Sequence, residues 1–550
     1  MDFARDALPD LDELKSDELK ALLREKHEQL VFKDEQLLSK DEQLRFHQLQ
    51  IEQMKLLILK LRRLQFGNKS EKRAQQIEQL ELWVEELEEA NAQRIEVQAK
   101  SADAPRMERA PLRRVFAEHV PRETQTIAPQ HDACPDCGGA LKDLGEDVSE
   151  MLELEPVRFK VLRVVRPKLA CASCDTIVQA PAPPRPIERG MAGPGLLAHV
   201  LVGKYGDHVP LYRQAEIYAR EGVDLNRSLL AQWVGQTTAL LAPLTDALRT
   251  HVIAADVVHA DDTPIPVLTP GRGTTKTGRL WTYVRDERPA GGEVAPAVWF
   301  AFSPDRKGEH PEQHLEDFTG VLQADGYAGF SKLYQSGRVH EAACWAHVRR
   351  KFFDLFDANK STVAGEALDR IAALYAIEKQ IRGQPPDERR AVRREHSRPL
   401  LDALQTRLHD MLGQLSLKSA TAQAIQYALR RWDALLRYCD DGRIEIDNNA
   451  AERALRCVAL GRKNYLFAGS DAGGDRAAAI YSLLGTAKLN GRNPQAYLRN
   501  VLARIAEHPI TRIAELLPWN LQTANEVTGQ VALGTEASSK TAMQPLTQVY

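Results

Sequence analysis

No stretch of this 550-residue chain is apolar over the length of a membrane span, and its first residues lack the apolar core of a signal peptide. Cysteine is scarce: the chain has seven, and four of them form two CxxC pairs. That arrangement favours metal binding in a reducing compartment over a framework of disulfides. The sequence therefore predicts a cytoplasmic protein and argues against membrane-spanning and disulfide-rich secreted classes.

Positive charge is not in excess, because 73 Lys and Arg residues face 76 Asp and Glu residues. The net charge of −3 does not mark a nucleic-acid binder. The charges are segregated, however: residues 443–505 contain ten Lys or Arg and five Asp or Glu. Local fields rather than the net charge steer a polyanion, so this region is a candidate surface for nucleic acid.

Proline is absent from residues 11–104, which are rich in Glu, Lys, Gln and Leu. The motif Lys-X-Glu-Gln-Leu recurs every seven residues from Lys26, and Ile51 and Ile58 continue the period. A sustained seven-residue repeat is typical of a coiled coil, which we predict at residues 10–100. The other seam position is polar in the first repeats, so a solitary charged helix is the alternative. We favour a homo-oligomer held by this leucine-zipper-like segment.

Past residue 100, composition and hydrophobic period divide the chain into segments. Three consecutive strands, followed by alternating helix and strand, predict a multidomain α/β protein with a ribonuclease-H-like domain, whose residues near 252–345 should form a five-stranded mixed sheet. The tail has few large apolar residues, which is typical of disorder. The predicted segments are a linker at 101–122, a zinc-ribbon-like module at 123–180, a helical region at 187–251, the α/β domain at 252–345 and 441–485, a helical insertion at 346–440, C-terminal helices at 486–520 and a disordered tail at 521–550.

The helical region at 187–251 contains the order helix, glycine turn, helix. Residues 210–220 form the first predicted helix, and Asn226 is a predicted N-cap for a second helix that runs through Trp233. This order is similar to a helix-turn-helix, although plain helical packing is an equal alternative. As a DNA-binding motif it would present three polar side chains to a groove: Arg227, Ser228 and Gln232.

The paired cysteines predict one tetrahedral Zn²⁺ site formed by Cys134, Cys137, Cys171 and Cys174. The 33 residues between the pairs exceed the usual spacing, and a predicted hairpin at 151–169 takes up the extra length. Redox or unligated thiols are the alternative, and His131 is a possible substitute ligand. Basic side chains on the hairpin suit either phosphate contacts or a merely solvated face: Arg158, Lys160, Arg163, Arg166 and Lys168.

Three acidic side chains follow apolar strands or begin a helix: Asp261, Asp325 and Glu452. Asp261 follows a predicted strand at 252–260 and lies where this strand should break, at Thr263-Pro264. Carboxylates are the ligands that Mg²⁺ prefers, and two such ions can promote displacement at a phosphodiester. The ends of strands are also where open α/β sheets place their sites. Turn formation is the alternative role for both aspartates. Asp262 should face away from Asp261, because side chains alternate along a strand.

Glu452 has a purely structural alternative, since Asn449-X-X-Glu452 fits a capping box at the start of a helix. Glu445 and Asp447 are then the candidates for a third acid. The neighbouring side chains favour a site at Glu452, because a dense basic cluster suited to phosphates follows it: Arg453, Arg456, Arg462 and Lys463.

Two further basic groups are candidate DNA contacts, although charge stripes are more often merely solvated. One begins a helix after a predicted strand and comprises Arg349, Arg350 and Lys351. The other is a stripe in the helical insertion: Arg389, Arg390, Arg393 and Arg394. His347, just before the first group, is either a proton shuttle or a packed residue, and the sequence does not decide between them.

Taken together and in order, these motifs resemble the DDE transposases of bacterial insertion sequences, specifically the IS66 family. The resemblance runs from about Leu61 to Asn520 and includes the CxxC pairs and the motifs at 63–72, 204–213, 344–347 and 461–470. It implies a catalytic triad of Asp261, Asp325 and Glu452 with Mg²⁺ or Mn²⁺. The family usually has Glu where this chain has Asp262, and the charge is kept.

The resemblance further implies cleavage at the 3′ ends of a mobile element and strand transfer into target DNA. The partners would then be the terminal inverted repeats, the target DNA and small companion proteins encoded by the same element. A rival hypothesis is a non-catalytic, zinc-containing repressor derived from a transposase, which would bind DNA through the zinc and helix-turn-helix-like modules. A plain nuclease is a third hypothesis.

Overall fold

The computed structural model describes residues 48, 50–55, 58, 80, 84–96, 116, 118–130, 132–155, 158–268, 275–464 and 468–521, with the backbone alone at 155, 359 and 462–464. Most of the predicted coiled coil, most of the predicted linker and the tail after residue 521 lie outside the described residues. So does His131. Among the described residues, no helix is both long and apolar enough to cross a membrane.

The cysteine module is a small sheet built on one long hairpin. Its strands are β1 (Arg122–Thr126), β2 (Leu141–Glu155), β3 (Arg158–Cys171) and β4 (Ile177–Gln179). The β2–β3 hairpin is longer than the predicted span of 151–169, because its pairing continues past a bulge to the last pair, Leu141 with Cys171. β1 and β4 both pair with β3. The extended hairpin brings the second cysteine pair beside the first.

Three helices follow: α1 (Pro194–Tyr205), α2 (Leu211–Arg220) and α3 (Arg227–Ile253). Asn226 is the N-cap of α3, and its side chain accepts a hydrogen bond of 2.9 Å from the Leu229 amide. The predicted end of this helix at Trp233 is wrong. α3 continues for five more turns because its inner face stays apolar and fully buried at Leu241, Leu244 and Leu248.

The predicted five-stranded mixed sheet is present, in the order β7–β6–β5–β8–β9. β5, β6 and β7 form consecutive antiparallel hairpins, whereas β8 and β9 run parallel to β5. Two short helices join β7 to β8 and β8 to β9. The elements are β5 (Val257–Leu268), β6 (Thr275–Arg285), β7 (Ala297–Ser303), α4 (Glu309–His314), β8 (Gly320–Ala324), α5 (Ser331–Gln335) and β9 (Val339–Ala343).

The first strand of this sheet differs from its prediction at both ends. We expected a strand from Val252 that breaks at Pro264, but α3 extends to Ile253 and β5 continues to Leu268. Proline is tolerated at position 264 because β8 pairs with β5 only as far as His259, and the next described bridge on that side joins Val267 to Ala468, beyond Pro264.

A helical insertion separates β9 from the last part of the chain, and its helices pack around an apolar core that also includes residues of β5, β8 and β9. Trp345 begins its first helix and is fully buried, with its indole N–H donating to the Leu435 carbonyl at 3.0 Å. The helices are α6 (Trp345–Asn359), α7 (Thr362–Ile381), α8 (Pro386–Val392), α9 (Arg398–Gly413), α10 (Ala420–Leu429) and α11 (Trp432–Asp440).

The predicted arginine stripe of the insertion is wrong as a DNA contact for two of its four members. Arg389 and Arg393 are buried and both bind the carboxylate of Glu378. Arg393 also donates to the Tyr438 carbonyl at 2.8 Å. These buried contacts of Arg389 and Arg393 hold three helices of the insertion together. Of the four arginines, only Arg390 and Arg394 are exposed.

The chain returns to the central sheet with four helices. The longest of them, α14, covers the edge strand β7: Ser482 accepts from the Phe300 amide at 2.8 Å, and Thr486 accepts from the Val298 amide at 3.1 Å. These hydroxyls satisfy strand amides that would otherwise lie unpaired at the sheet edge. The helices are α12 (Asn449–Ala454), α13 (Arg456–Asn464), α14 (Asp471–Leu489) and α15 (Pro494–Arg504).

Residues 84–96 form a helix, here called the acidic helix, that docks on α1, α3 and α14. Glu85 and Glu89 both pair with the buried Lys204, and Glu86 and Glu89 pair with Arg476, which is fully buried. Glycine permits the close approach, since a Cβ at Gly235 would lie 2.2 Å from the Glu89 carbonyl oxygen. This docking ties the N-terminal part of the chain to the central fold.

A carboxylate site at the end of the central sheet

Two of the three predicted acids lie level with one another on neighbouring parallel strands. The register pairs His259 of β5 with Gln323 of β8. Asp261 lies two residues further along the first strand, and Asp325 lies two residues further along the second. Because the register is parallel, both aspartates belong to the same end of the sheet.

Asp325 is held in a tight turn directly after β8. Its carboxylate accepts a hydrogen bond of 3.2 Å from the Tyr327 amide, and Gly326 has a φ of +79°. A Cβ at Gly326 would also meet the Arg431 guanidinium at 2.2 Å, so glycine is needed for both reasons. Asp325 therefore forms a turn, as its alternative role predicted, and that turn also fixes its place at the sheet end.

Asp261 lies in a field of negative charge. Burial is the main cause that raises the pKa of Asp261 to about 7, and the carboxylates of Asp325, Asp262 and Glu452 contribute to this rise. A hydrogen bond of 2.7 Å from the Asp262 amide acts in the opposite direction. The three predicted acids thus interact electrostatically. A divalent cation among these oxygen donors would offset their mutual repulsion, so the residues fit a hard metal ion.

The neighbouring Asp262 has a different environment. Its carboxylate is nearly inaccessible and accepts hydrogen bonds from Arg279 at 2.9 Å and from Arg306 at 2.7 Å. Arg306 in turn stacks on the Tyr327 ring, 4.2 Å from its centroid. Asp262 is therefore occupied by two guanidinium groups and links β5 to β6 and to the segment after β7.

Glu452 is brought to this end of the sheet by the buried side chain of Asn448. The Asn448 amide group donates to the Ala260 carbonyl at 2.8 Å, and its oxygen lies 3.1 Å from His259 Nδ1. The helix begins at Asn449 with Asn448 as the N-cap residue, which makes Glu452 the fourth helical residue. A capping box requires the third position, so the local geometry differs from that alternative.

His347 faces Glu452 from the first turn of α6. Its Nε2 atom lies 3.9 Å from Glu452 Oε1. Cys344, the residue that precedes α6, accepts a hydrogen bond of 3.2 Å from the Asn448 amide. Ligand atoms of Cys344, His347 and Glu452 all lie within 4.8 Å of one another.

The two fallback acids are engaged elsewhere. Glu445 pairs with Arg389 and with Arg382. Asp447 accepts from the backbone amide of Asn449 at 3.2 Å and from its side chain at 2.7 Å, which caps the helix that carries Glu452. Burial raises the pKa of Asp447. Both carboxylates thus have structural partners.

A cavity of about 250 Å³ opens beside these residues. Cations and an aromatic ring line it together with acids. Its lining includes His259, Tyr375, Lys379, Arg382, Asp447 and Arg453. Arg453, the first residue of the basic cluster after Glu452, therefore lines a recess that the fallback acids Glu445 and Asp447 also line.

The predicted DNA-contact residues are mostly exposed. Arg349, Arg350 and Lys351 are exposed on α6, and Lys351 lies over the Tyr427 ring at 4.4 Å. Arg453, Arg456 and Gln232 are exposed, whereas Arg227 is partly buried. The side chains of Arg462 and Lys463 lie outside the described residues. Ser228 instead binds the acidic helix, because its hydroxyl donates a hydrogen bond of 2.7 Å to the Glu88 carboxylate.

The four cysteines of the two CxxC pairs converge. Cys137 Sγ lies 3.4 Å from Cys171 Sγ and 3.3 Å from Cys174 Sγ, and Cys134 Sγ lies 3.5 Å from Cys174 Sγ. Sulfurs around a tetrahedral zinc lie roughly 3.8 Å apart, given a Zn–S bond of about 2.3 Å. The thiolate set and its spacing fit Zn²⁺.

The basic face of the cysteine hairpin is partly neutralised. Lys160 pairs with Glu123 at 2.6 Å, and Lys168 pairs with Asp147 at 2.7 Å. Arg166 also lies 3.5 Å from Asp147. These pairs favour the solvated-face interpretation for three of the five predicted phosphate contacts.

Two features of the site were missed by sequence reasoning. Asn448 joins the helix of Glu452 to β5, and Arg279 with Arg306 holds Asp262. The only sequence signal for Asn448 is its position between Asp447, a candidate third acid, and Asn449, the predicted capping residue. The two arginines follow no local pattern, since Arg306 lies 44 positions from its partner.

Family models of IS66 transposases match four parts of the chain. The model described as "Transposase IS66 family" matches residues 189–476, and the "IS66 C-terminal element" matches residues 482–519. The "zinc-finger binding domain of transposase IS66" matches residues 131–175. A model described as "Transposase C of IS166 homeodomain" matches residues 53–124.

Two curated relatives are similar over most of the chain. The uncharacterized protein y4hP of Sinorhizobium fredii is 44% identical over 502 residues, which cover 87% of this chain and 90% of that protein. The uncharacterized protein y4qI of the same organism is 40% identical over 474 residues, which cover 84% and 87%. Together with a family model that spans more than half of its residues, these relatives show that the chain belongs to the IS66 family of transposases and carries that family's zinc-finger domain.

Proposed function

We propose that this transposase cleaves DNA at the 3′ ends of a bacterial insertion sequence and transfers those ends into target DNA. Asp261, Asp325 and Glu452 form its catalytic triad in this proposal. The parallel register of β5 and β8 carries the argument, since it sets Asp261 level with Asp325 at the sheet end that Glu452 approaches.

The chemistry that we propose is two-metal catalysis. Two Mg²⁺ or Mn²⁺ ions bound there would supply an activated water or 3′ hydroxyl and a stabilised leaving oxygen. Asp261 and Asp325 would hold the ions, with Glu452 completing the second position. Asn448 positions Glu452 by tying its helix to the backbone of Ala260. No protein nucleophile is required, because each step is a direct displacement at phosphorus.

The strand order supports a ribonuclease-H-like assignment for the catalytic domain. Three antiparallel strands are followed by two parallel ones; Asp261 lies within the first strand in chain order, and Asp325 directly follows the fourth. We propose the domain division on the same basis, with the insertion α6–α11 between β9 and the helix of Glu452.

Exposed cations around the carboxylates would bind the DNA backbone. Arg453 and Arg456 follow Glu452 directly, and Arg349, Arg350 and Lys351 lie on the helix of His347. Phosphate contacts of this kind orient DNA without reading its sequence. Gln232 and Arg227, on the helix-turn-helix-like pair α2–α3, would contact a groove. Homo-oligomerisation through the N-terminal repeat and small companion proteins complete the proposal.

The test replaces Asp261, Asp325 and Glu452 one at a time by the matching amide. Each amide keeps the shape but removes the charge that holds the metal. Each variant should bind element-end DNA about as well as wild type and lose cleavage and strand transfer by several orders of magnitude. Asp256→Asn is the matched control, because this exposed aspartate precedes β5 and pairs only with Arg443 in the described structure.

Three results would contradict all or part of the proposal. Strand transfer retained by Glu452→Gln would remove Glu452 from the triad. A wild-type protein that binds element ends but does not cut them in Mg²⁺ or Mn²⁺ would favour the repressor hypothesis, and cutting without joining would favour a plain nuclease.

A further inference from the structure

His347 and Glu452 approach one another from two different helices. His347 lies in the first turn of α6, and Glu452 lies on α12. The His347 Nε2 and Glu452 Oε1 atoms are 3.9 Å apart. That separation is too long for a hydrogen bond. Two ligand atoms at this spacing can, however, both reach one cation at about 2.1 Å, the metal–ligand distance usual for imidazole and carboxylate donors.

The two side chains are held on rigid elements. Trp345 anchors the start of α6 through its buried indole and the Leu435 carbonyl. Cys344 joins the start of α6 to the start of α12, because its sulfur accepts a hydrogen bond from the backbone amide of Asn448. The buried Asn448 then fixes both helices to β5. A metal site needs such a preorganised support around its ligands.

The imidazole is not explained by packing alone. Its Nδ1 atom is buried, and no partner for it occurs among the described residues. A histidine that serves only the core normally satisfies its buried nitrogen. Cys344 itself is already engaged with a backbone amide, so we treat it as a positioning residue.

We infer that His347 is a nitrogen ligand in the metal site of Glu452, and that this site prefers Mn²⁺ to Mg²⁺. The inference rests on the proposed function and adds a ligand to its carboxylate triad. Mg²⁺ takes oxygen ligands in near-ideal octahedra, whereas imidazole suits first-row transition ions. One nitrogen among carboxylates therefore shifts the preference of the site toward Mn²⁺.

The test uses the full-length, zinc-loaded protein and Mn²⁺ alone as the probe. Pulsed electron paramagnetic resonance should detect ¹⁴N modulation from a directly bound imidazole in wild type. His347→Gln should abolish that modulation and raise the Kd for Mn²⁺ on the order of 10–100-fold. His347→Asp supplies an oxygen instead, so it should bind Mn²⁺ without ¹⁴N modulation and bind Mg²⁺ more tightly than wild type does. His340→Gln, at an exposed histidine of β9, is the control and should behave as wild type.

The outcomes separate this inference from the proposed function. One outcome is that Mn²⁺ binding is lost in Asp261→Asn and Asp325→Asn, while Mn²⁺ bound to wild type shows no ¹⁴N modulation. This outcome would overturn the role of His347 and leave the proposed triad intact. Modulation that persists in His347→Gln would overturn it as well. Mn²⁺ binding that is unchanged in both aspartate variants would contradict the catalytic site itself.

Discussion

Adjacent aspartates on one strand have opposite roles here, and the difference is set by what each side chain contacts. Asp261 faces other carboxylates, whereas Asp262 faces two guanidinium groups. The alternation of side chains along β5 separates them.

Asp262→Asn should therefore weaken the fold more than the chemistry. Loss of the charge leaves Arg279 and Arg306 without their carboxylate, which should cost about 1–3 kcal/mol of stability. Thermal unfolding should report the loss, and Mn²⁺ binding should stay within a few-fold of wild type. Asp261→Asn should show the reverse pattern, and an Asp262→Asn protein with normal stability and no metal binding would contradict this division of roles.

At the scale of elements, burial and ion pairing act in opposite directions on the pKa of Glu89 in the docked acidic helix. Burial raises the pKa of Glu89 to about 7, although Lys204 lowers it and Glu86 adds to the rise. The docked helix thus holds a proton that the undocked carboxyl, with an ordinary pKa of 4.5, would release. The stability of docking is then greatest at low pH and falls as the pH rises from about 4.5 through about 7.

Hydrogen exchange of residues 84–96, corrected for the intrinsic rate at each pH, should measure this linkage. Protection should increase when the pH is lowered from about 7.5 to about 5.5. Glu89→Gln mimics the protonated side chain and should flatten the dependence. Glu96→Gln, near the end of the same helix, is the control. Protection that rises with pH would show that the pairing with Lys204 and Arg476 outweighs burial.

At the scale of the whole molecule, the described contacts between the zinc-finger domain and the central fold lie at one end of the domain's long hairpin. The tip of its hairpin shares the main core, where Phe159 lies against Tyr218 with ring centroids 5.4 Å apart. Glu153 accepts from the Leu196 amide at the start of α1 at 2.7 Å. The four cysteines lie at the opposite end of the hairpin, beyond the support of that core.

Zinc removal should therefore unfold the module locally. Elemental analysis should find one Zn²⁺ per chain, and chelation should abolish exchange protection at the base of the hairpin, around Leu141 and Cys171. The tip around Phe159 should stay protected, because helices cover it. Cys134→Ser should reproduce the chelated state. Full protection after chelation, or purified protein without zinc, would contradict a structural zinc site.

The sequence by itself indicated the candidate site residues and the order of the elements. The CxxC pairs, the two aspartates after apolar strands and the repeat of strands and helices are local patterns, because each depends on residues close together in the chain. The N-cap at Asn226 and the five-stranded mixed sheet were predictable for the same reason. Family membership was predictable because several such motifs occur in one order.

Only the tertiary structure decided which charges were already paired. In the sequence, Arg393 is a candidate DNA contact, but in the structure it is buried and paired with Glu378. Arg476 pairs with Glu89, which lies 387 positions away in the chain. The sequence predicts a strand break at Pro264, yet β5 continues through this residue, because the pairing of β5 with β8 ends before it, at His259. Likewise, the approach of His347 to Glu452 depends on Asn448 joining two helices to a strand. Pairing and burial depend on residues far apart in the chain, and no local pattern carries that information.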